Sequence, residues 1–275
     1  MSMNSEQDKA LLLGQQVPVS EHYAPELLYP IARSQARESL GINSDELPFT
    51  GLDLWHAYEL SWLDGLGRPT AFVGRFSVPA ESPNLVESKS FKLYLNSLNQ
   101  HRFTSPEAAI ATICYDVGCA AGAEVALELF SVDDSALAGL PLPGECLDTL
   151  EVAWTGTAPQ AEQLSCVSDS GTQTLYTHLL RSLCPVTGQP DWATLWLHME
   201  GAQLETKSLL EYLLSYRNHQ EFHEQCVERV FRDLQAVCQP SELHVQAFYT
   251  RRGGLDITPF RSTGGRQPLP RMNRQ

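Results

Sequence analysis

A fifteen-residue stretch of this chain is written twice. Residues 87–101 read ESKSFKLYLNSLNQH and residues 205–219 read ETKSLLEYLLSYRNH, at a constant offset of 118. The same offset carries AEVALELF at 123–130 onto SELHVQAF at 241–248. Upstream, LDGLGRP at 63–69 answers CPVTGQP at 184–190, with the offset slipping to 121. On that alignment Leu63 stands where Cys184 stands. A chain built this way folds as two like halves, near residues 48–130 and 147–249. A repeat that keeps its order but changes its reactive residue points to duplication followed by division of labour.

Each half reads β-β-α-α-β. Residues 52–63 and 70–78 are aromatic and aliphatic runs around a Gly-rich turn, the pattern of a hairpin. Phe91, Leu95 and Leu98 follow at helical spacing. Ser105 and Pro106 mark a helix start, with Ser as cap and Pro in the first helical position, and that helix is expected to run to about Val117. A strand at 123–132 closes the half. The second half repeats the order with strands at 176–184 and 192–199, helices at 204–216 and 222–238, and a last strand at 243–249. Residues 1–47 read as an N-terminal arm. The segment from Asp133 through Pro141 and Gly144 is an irregular linker. The tail after Gly253, rich in Arg and Pro, is expected to be partly irregular.

A length of 275 residues suits this two-part build. The net charge of −14 argues against broad binding to nucleic acid or to anionic membranes, which need a basic face. It leaves room for a small anionic cofactor on a local basic patch. Only Lys9, Lys89, Lys92 and Lys207 are lysines, and three of them fall in the repeated segment or its echo. The seven cysteines form no CxxC pair, so neither a zinc ribbon nor a dithiol redox site is indicated. No apolar run is long enough to span a membrane, and no leader is evident. The expected setting is the cytoplasm, with reduced thiols.

Three groups could carry chemistry. Cys184 and Asp191 flank a short turn. If that turn is tight, a thiolate nucleophile and an acid stand close together. The alternative is a small buried cysteine and a turn aspartate. His223-Glu224 opens the last long helix. Zinc binding by His223 and Cys226 is one reading, although the second His of an HExxH motif is missing, and a helix-start charge is the other. Arg251, Arg252, Gly253 and Gly254 end a strand, where two guanidiniums beside flexible backbone can grip phosphates or simply form a basic turn. No Rossmann or Walker fingerprint is present.

The run Glu87-Ser-Lys-Ser-Phe-Lys-Leu-Tyr94 resembles the signature of the nitrile reductases that convert 7-cyano-7-deazaguanine to 7-aminomethyl-7-deazaguanine on the queuosine pathway. Cys184 with Asp191, and Phe222-His223-Glu224, resemble the rest of that family's site. The resemblance covers the chain from Pro48 to Arg261. It implies an α+β tunnelling fold with two tandem modules, 48–145 carrying the signature and 146–275 carrying the nucleophile, after an arm at 1–47. It implies Cys184 as nucleophile, Asp191 as proton donor and His223 as a second one. Val86, Glu87, Ser88, His223 and Glu224 would bind the substrate. Ser88, Lys89, Arg252 and Gly253 would bind NADPH, and no metal would take part. A homodimer in the cytoplasm is implied, without direct nucleic-acid contact. Competing readings are another tunnelling-fold enzyme of the pterin-forming cyclohydrolase kind, which would need a Cys/His zinc site, and a non-catalytic purine- or pterin-binding protein.

Overall fold

The computed structural model describes Ser20 and residues 22–275, so residues 1–19 and 21 of the segment read as an arm lie outside the described residues. The chain is α+β. In chain order the elements are β1 (Pro30–Ala32), α1 (Ser34–Ser39), β2 (Thr50–Leu60), β3 (Phe72–Pro79), β4 (Asn84–Val86), α2 (Ser88–Ser97), α3 (Pro106–Ala121) and β5 (Ala126–Phe130). There follow β6 (Glu145–Cys146), β7 (Cys166–Ser168), β8 (Thr172–Leu183), β9 (Pro190–Glu200), β10 (Gln203–Leu204), α4 (Thr206–Ser215), α5 (His223–Cys238), β11 (Glu242–Tyr249) and β12 (Leu255–Ser262).

The chain divides into two compact units. The first holds the described residues up to Arg33, with Trp55–Asp134 and Arg252–Leu255. Its sheet runs β5-β3-β2, with β3 and β5 antiparallel, and β1 pairs with β4. Phe91 of α2 meets Phe76 and Trp55 edge-on, with ring centroids 4.9 and 5.3 Å away. Such contacts add to the stabilisation from burial alone. α3 begins as the sequence indicates, with the Ser105 hydroxyl accepting from the Ala108 N–H at 3.2 Å. It runs four residues past Val117 because the stop is Gly122, whose φ of 74° is the left-handed conformation that glycine adopts freely.

The second unit holds Ser34–Leu54, Ser135–Arg251 and Asp256–Gln275. Its strand order is β12-β11-β9-β8-β6. β9 is buried along nearly its whole length, and α4 and α5 contribute Leu209, Leu213, Phe231 and Leu234 to the core. The tail after Gly253 is partly irregular, as expected, but only from Thr263 on, because Leu255–Ser262 form β12. All eight of its residues are buried, including Asp256, Thr258 and Arg261. Pro259 within the run argues against a strand, since it cannot donate to a ladder. Its pairing with β11 is confined to His244↔Ser262, Val245↔Arg261 and Gln246↔Phe260, beyond the proline. The polar side chains are tolerated because each has a partner, as Thr258 has in Gln275 and Arg261 has in Asp53 and Glu228.

The written repeat reappears as hydrogen bonding inside each unit. Glu87 caps α2 by accepting from the N–H groups of Lys89 and Ser90 at 2.8 and 2.7 Å. Glu205 caps α4 in the same way through Lys207 and Ser208. Tyr94 donates to Asp116 at 2.6 Å, as Tyr212 does to Asp233. Ser97 and Ser215 each donate back to the carbonyl of the tyrosine three residues earlier.

Candidate active site

The hairpin between β8 and β9 positions Cys184. Ser182 pairs with Asp191 and Leu183 with Pro190. The Cys184 N–H continues this ladder by donating to the Gln189 carbonyl at 2.9 Å, and its own carbonyl accepts from Gly188. Side chains alternate along a strand, so Ser182, Cys184 and Asp191 share one face. The end of β8 is held from the other side as well. The Leu183 N–H donates to the His219 carbonyl at 2.8 Å, and the Glu221 N–H donates to the Leu183 carbonyl at 3.2 Å. Glu221 is itself fixed by Arg229, at 2.6 and 3.0 Å, and by His219.

The same bonds realign the repeat. In the first unit the Leu63 N–H donates to the His101 carbonyl, the Asp64 N–H to Arg68, and the Gly67 N–H to Asp64. These match Leu183, Cys184 and Gly188 one for one. Asp64 therefore occupies the position of Cys184, and Leu63 that of Leu183. Aligning the prolines at 69 and 190 misplaces this by one, because the second loop is one residue longer. Asp64 spends its carboxylate on the Leu66 and Arg68 N–H groups and the Arg68 side chain, closing its turn. In the second unit the position carries a thiol.

α5 brings His223 to this hairpin. His223 Nε2 lies 3.2 Å from Asp191 Oδ2. The imidazole stacks on Tyr249 of β11 with centroids 3.7 Å apart, which fixes the ring plane. Its Nδ1 is buried without a hydrogen-bond partner. Cys184 is 6% exposed, Asp191 3% and Glu224 4%, so the group is shielded from bulk water. Glu224 sits in the first turn of α5. Burial, reinforced by Glu221, pushes the Cys226 thiol well above its usual pKa, so it stays protonated and unreactive at neutral pH. Among the described residues no third ligand stands with His223 and Cys226. Tyr249 was not singled out from sequence. It carries no motif, and only the ladder places its ring beside α5.

In the first unit Val86 ends β4 and is buried, and Glu87 follows it at 1% exposure. Burial raises the Glu87 pKa, against the opposing hydrogen bonds of its cap. Ser88 and Lys89 are half-buried, while Arg252 and Gly253 are exposed. Gly253 has φ of 60°, and its carbonyl accepts from Lys92 Nζ, which also pairs with Glu59 at 3.0 Å. Thus Lys92, rather than Lys89, is the lysine packed on Gly253.

Residues 19–129 match the family model described as "Nitrile reductase, 7-cyano-7-deazaguanine-reductase N-term", and residues 190–268 match one described as "QueF-like protein". A relative from Chromohalobacter salexigens named NADPH-dependent 7-cyano-7-deazaguanine reductase is 52% identical over 267 residues, 96% of either chain. The chain belongs to the 7-cyano-7-deazaguanine nitrile reductase family. Relatives of the same name from Dechloromonas aromatica and Teredinibacter turnerae are each 52% identical, over 92% and 94% of this chain and 90% and 92% of their own. The two matched segments together contain Val86–Lys89, Asp191, His223, Glu224, Arg252 and Gly253, the residues singled out from the sequence. Cys184 lies between the two matched segments, within the span that the Chromohalobacter relative aligns as a whole.

Proposed function

We propose that this nitrile reductase converts 7-cyano-7-deazaguanine to 7-aminomethyl-7-deazaguanine with two NADPH; its relatives are named NADPH-dependent 7-cyano-7-deazaguanine reductases. The observation that carries the reading is 52% identity across 96% of both chains. The proposed chemistry starts at Cys184. Its thiolate adds to the nitrile carbon and Asp191 protonates the nitrogen, giving a covalent thioimide. NADPH supplies a hydride to the former nitrile carbon. Departure of the Cys184 thiolate leaves an imine, and a second hydride with a second proton completes the amine. The balance is one nitrile, two NADPH and two protons consumed, and one amine and two NADP+ formed, with the Cys184 thiolate regenerated.

His223, whose Nε2 lies 3.2 Å from Asp191 Oδ2, is the second donor in this scheme. Its buried, unpartnered Nδ1 is an atom that a bound polar heterocycle would satisfy. Glu224 and Glu87 accept from the guanine-like N–H edge, with Val86, Ser88 and His223 completing the substrate contacts. Lys89, Arg252 and the backbone at Ser88 and Gly253 hold the cofactor, a fit supported by exposed cationic and positive-φ groups at Arg252 and Gly253. The same reading includes two tandem tunnelling-fold modules, 48–145 and 146–275, in a cytoplasmic homodimer that does not bind nucleic acid. The recurring caps and the recurring Tyr–Asp bonds support the two modules.

Intact-protein mass spectrometry with the nitrile alone tests the scheme. The expected result is a mass increase of one whole substrate molecule, absent in Cys184→Ala and retained in Cys226→Ala. An adduct that persists in Cys184→Ala refutes the nucleophile. Failure of the wild type to oxidise NADPH on adding the nitrile refutes the function.

A further inference from the structure

Outside this chemistry, Cys146, Asp148 and His178 gather in the second unit. Each brings one ligand atom, a sulfur, a carboxylate oxygen and a ring nitrogen, within 4.8 Å of the other two. The backbone explains the meeting. Cys146 lies in the edge strand β6, which runs parallel to β8 with Cys146 opposite Tyr176, and the Leu147 N–H donates to the Tyr176 carbonyl. In the β8–β9 ladder Thr177 pairs with Leu195 and then Leu180 with Ala193. His178 and Leu179 therefore face Thr194 alone, which is a bulge, and bulges re-aim side chains. The His178 N–H, released from the ladder, donates to Asp148 Oδ1 at 3.0 Å, and the Thr177 hydroxyl donates to the same oxygen at 2.6 Å. His178 Nδ1 lies 2.8 Å from the Thr194 hydroxyl.

The carboxylate is thus held through Oδ1, leaving Oδ2, and the imidazole through Nδ1, leaving Nε2. Anchoring a ligand through the atom turned away from the ion is how outer contacts build a metal site. We propose that Cys146, Asp148 and His178 bind a thiophilic divalent cation, for which zinc is the best match. Thiolate, imidazole and carboxylate together suit zinc, whereas magnesium and calcium prefer oxygen alone. Bonds of about 2.0–2.3 Å in a tetrahedron place ligands roughly 3.5 Å apart. All three side chains are half-exposed, so small rotations close the site around the ion. Three protein ligands leave the fourth tetrahedral position to water. Thiolate and carboxylate balance the charge of the ion. The ion would clip the two-residue edge strand β6 to β8.

Cobalt(II) titration of the chelator-treated full chain tests this, because a cobalt–thiolate bond gives a near-ultraviolet charge-transfer band. One equivalent should bind, zinc should displace it, and the band should persist in Cys184→Ala. It should vanish in Cys146→Ser, and cobalt affinity should fall at least tenfold in His178→Gln. No band in the wild type, loss of the band in Cys184→Ala, or an unchanged band in Cys146→Ser would overturn the proposal.

Discussion

Replacing Glu228 by Ala should destabilise the second unit more than any change at its surface. Glu228 lies on α5 at 2% exposure and accepts four hydrogen bonds from two buried arginines. Arg37 donates at 3.0 and 2.8 Å, and Arg261 at 3.2 and 2.9 Å. Asp53 takes a further bond from Arg261 at 2.8 Å, so among the described residues these contacts join two positive and two negative side chains. Burial works against the Arg261 charge, yet Asp53 and Glu228 outweigh it and hold the guanidinium pKa above its usual value. Without Glu228 the cluster keeps a buried excess charge of one. Breaking a buried pair by removing one partner costs about 3–5 kcal/mol, largely through the charge left behind. At about 2–4 °C per kcal/mol for a chain near this size, Tm should fall by roughly 6–20 °C. Urea unfolding gives the free energy directly. Arg37→Met in the Glu228→Ala background removes the stranded charge, so the two losses should fall short of additive by more than about 1 kcal/mol. A Glu228→Ala loss below about 1 kcal/mol, or strict additivity, would refute the reasoning.

The remaining expectations concern the site and its supports. Glu224→Ala should weaken binding of 7-cyano-7-deazaguanine by about 1–3 kcal/mol in calorimetry while NADPH binding holds, since a ring N–H loses its acceptor; unchanged substrate affinity would reduce Glu224 to a helix-start charge. Arg252→Ala should raise the apparent KM for NADPH more than that for the nitrile, and equal effects on both would indicate a structural role. Burial alone would raise the Glu221 pKa, but hydrogen bonds from His219 and Arg229 hold it below the usual glutamate value. That stabilisation is present above the unfolded-state pKa and is lost as pH falls through the folded one. Arg229→Met should therefore shift acid unfolding to higher pH, and an unmoved midpoint followed by circular dichroism would count against this.

Most elements were legible in the sequence because they rest on local physics. Ser105-Pro106 is a helix start in any context, Phe91, Leu95 and Leu98 mark a helical face by spacing alone, and the written repeat announces itself wherever it folds. What the tertiary structure decided is what depends on distant partners. β12 looks too polar and too proline-broken for a strand until Asp53, Glu228 and Gln275 meet its buried side chains. The counterpart of Cys184 is Asp64 rather than Leu63, because backbone bonds, not matching prolines, set the register of a turn that differs by one residue. His223 reads as a helix-start residue, and only the packing of α5 on β9 and β11 places it against Asp191 and Tyr249. Cys146, Asp148 and His178 follow no ligand spacing, since a strand pairing and a bulge bring them together. Local propensity acts over a few residues and is visible in one dimension, whereas charge pairing and ladder register join residues that the sequence keeps far apart.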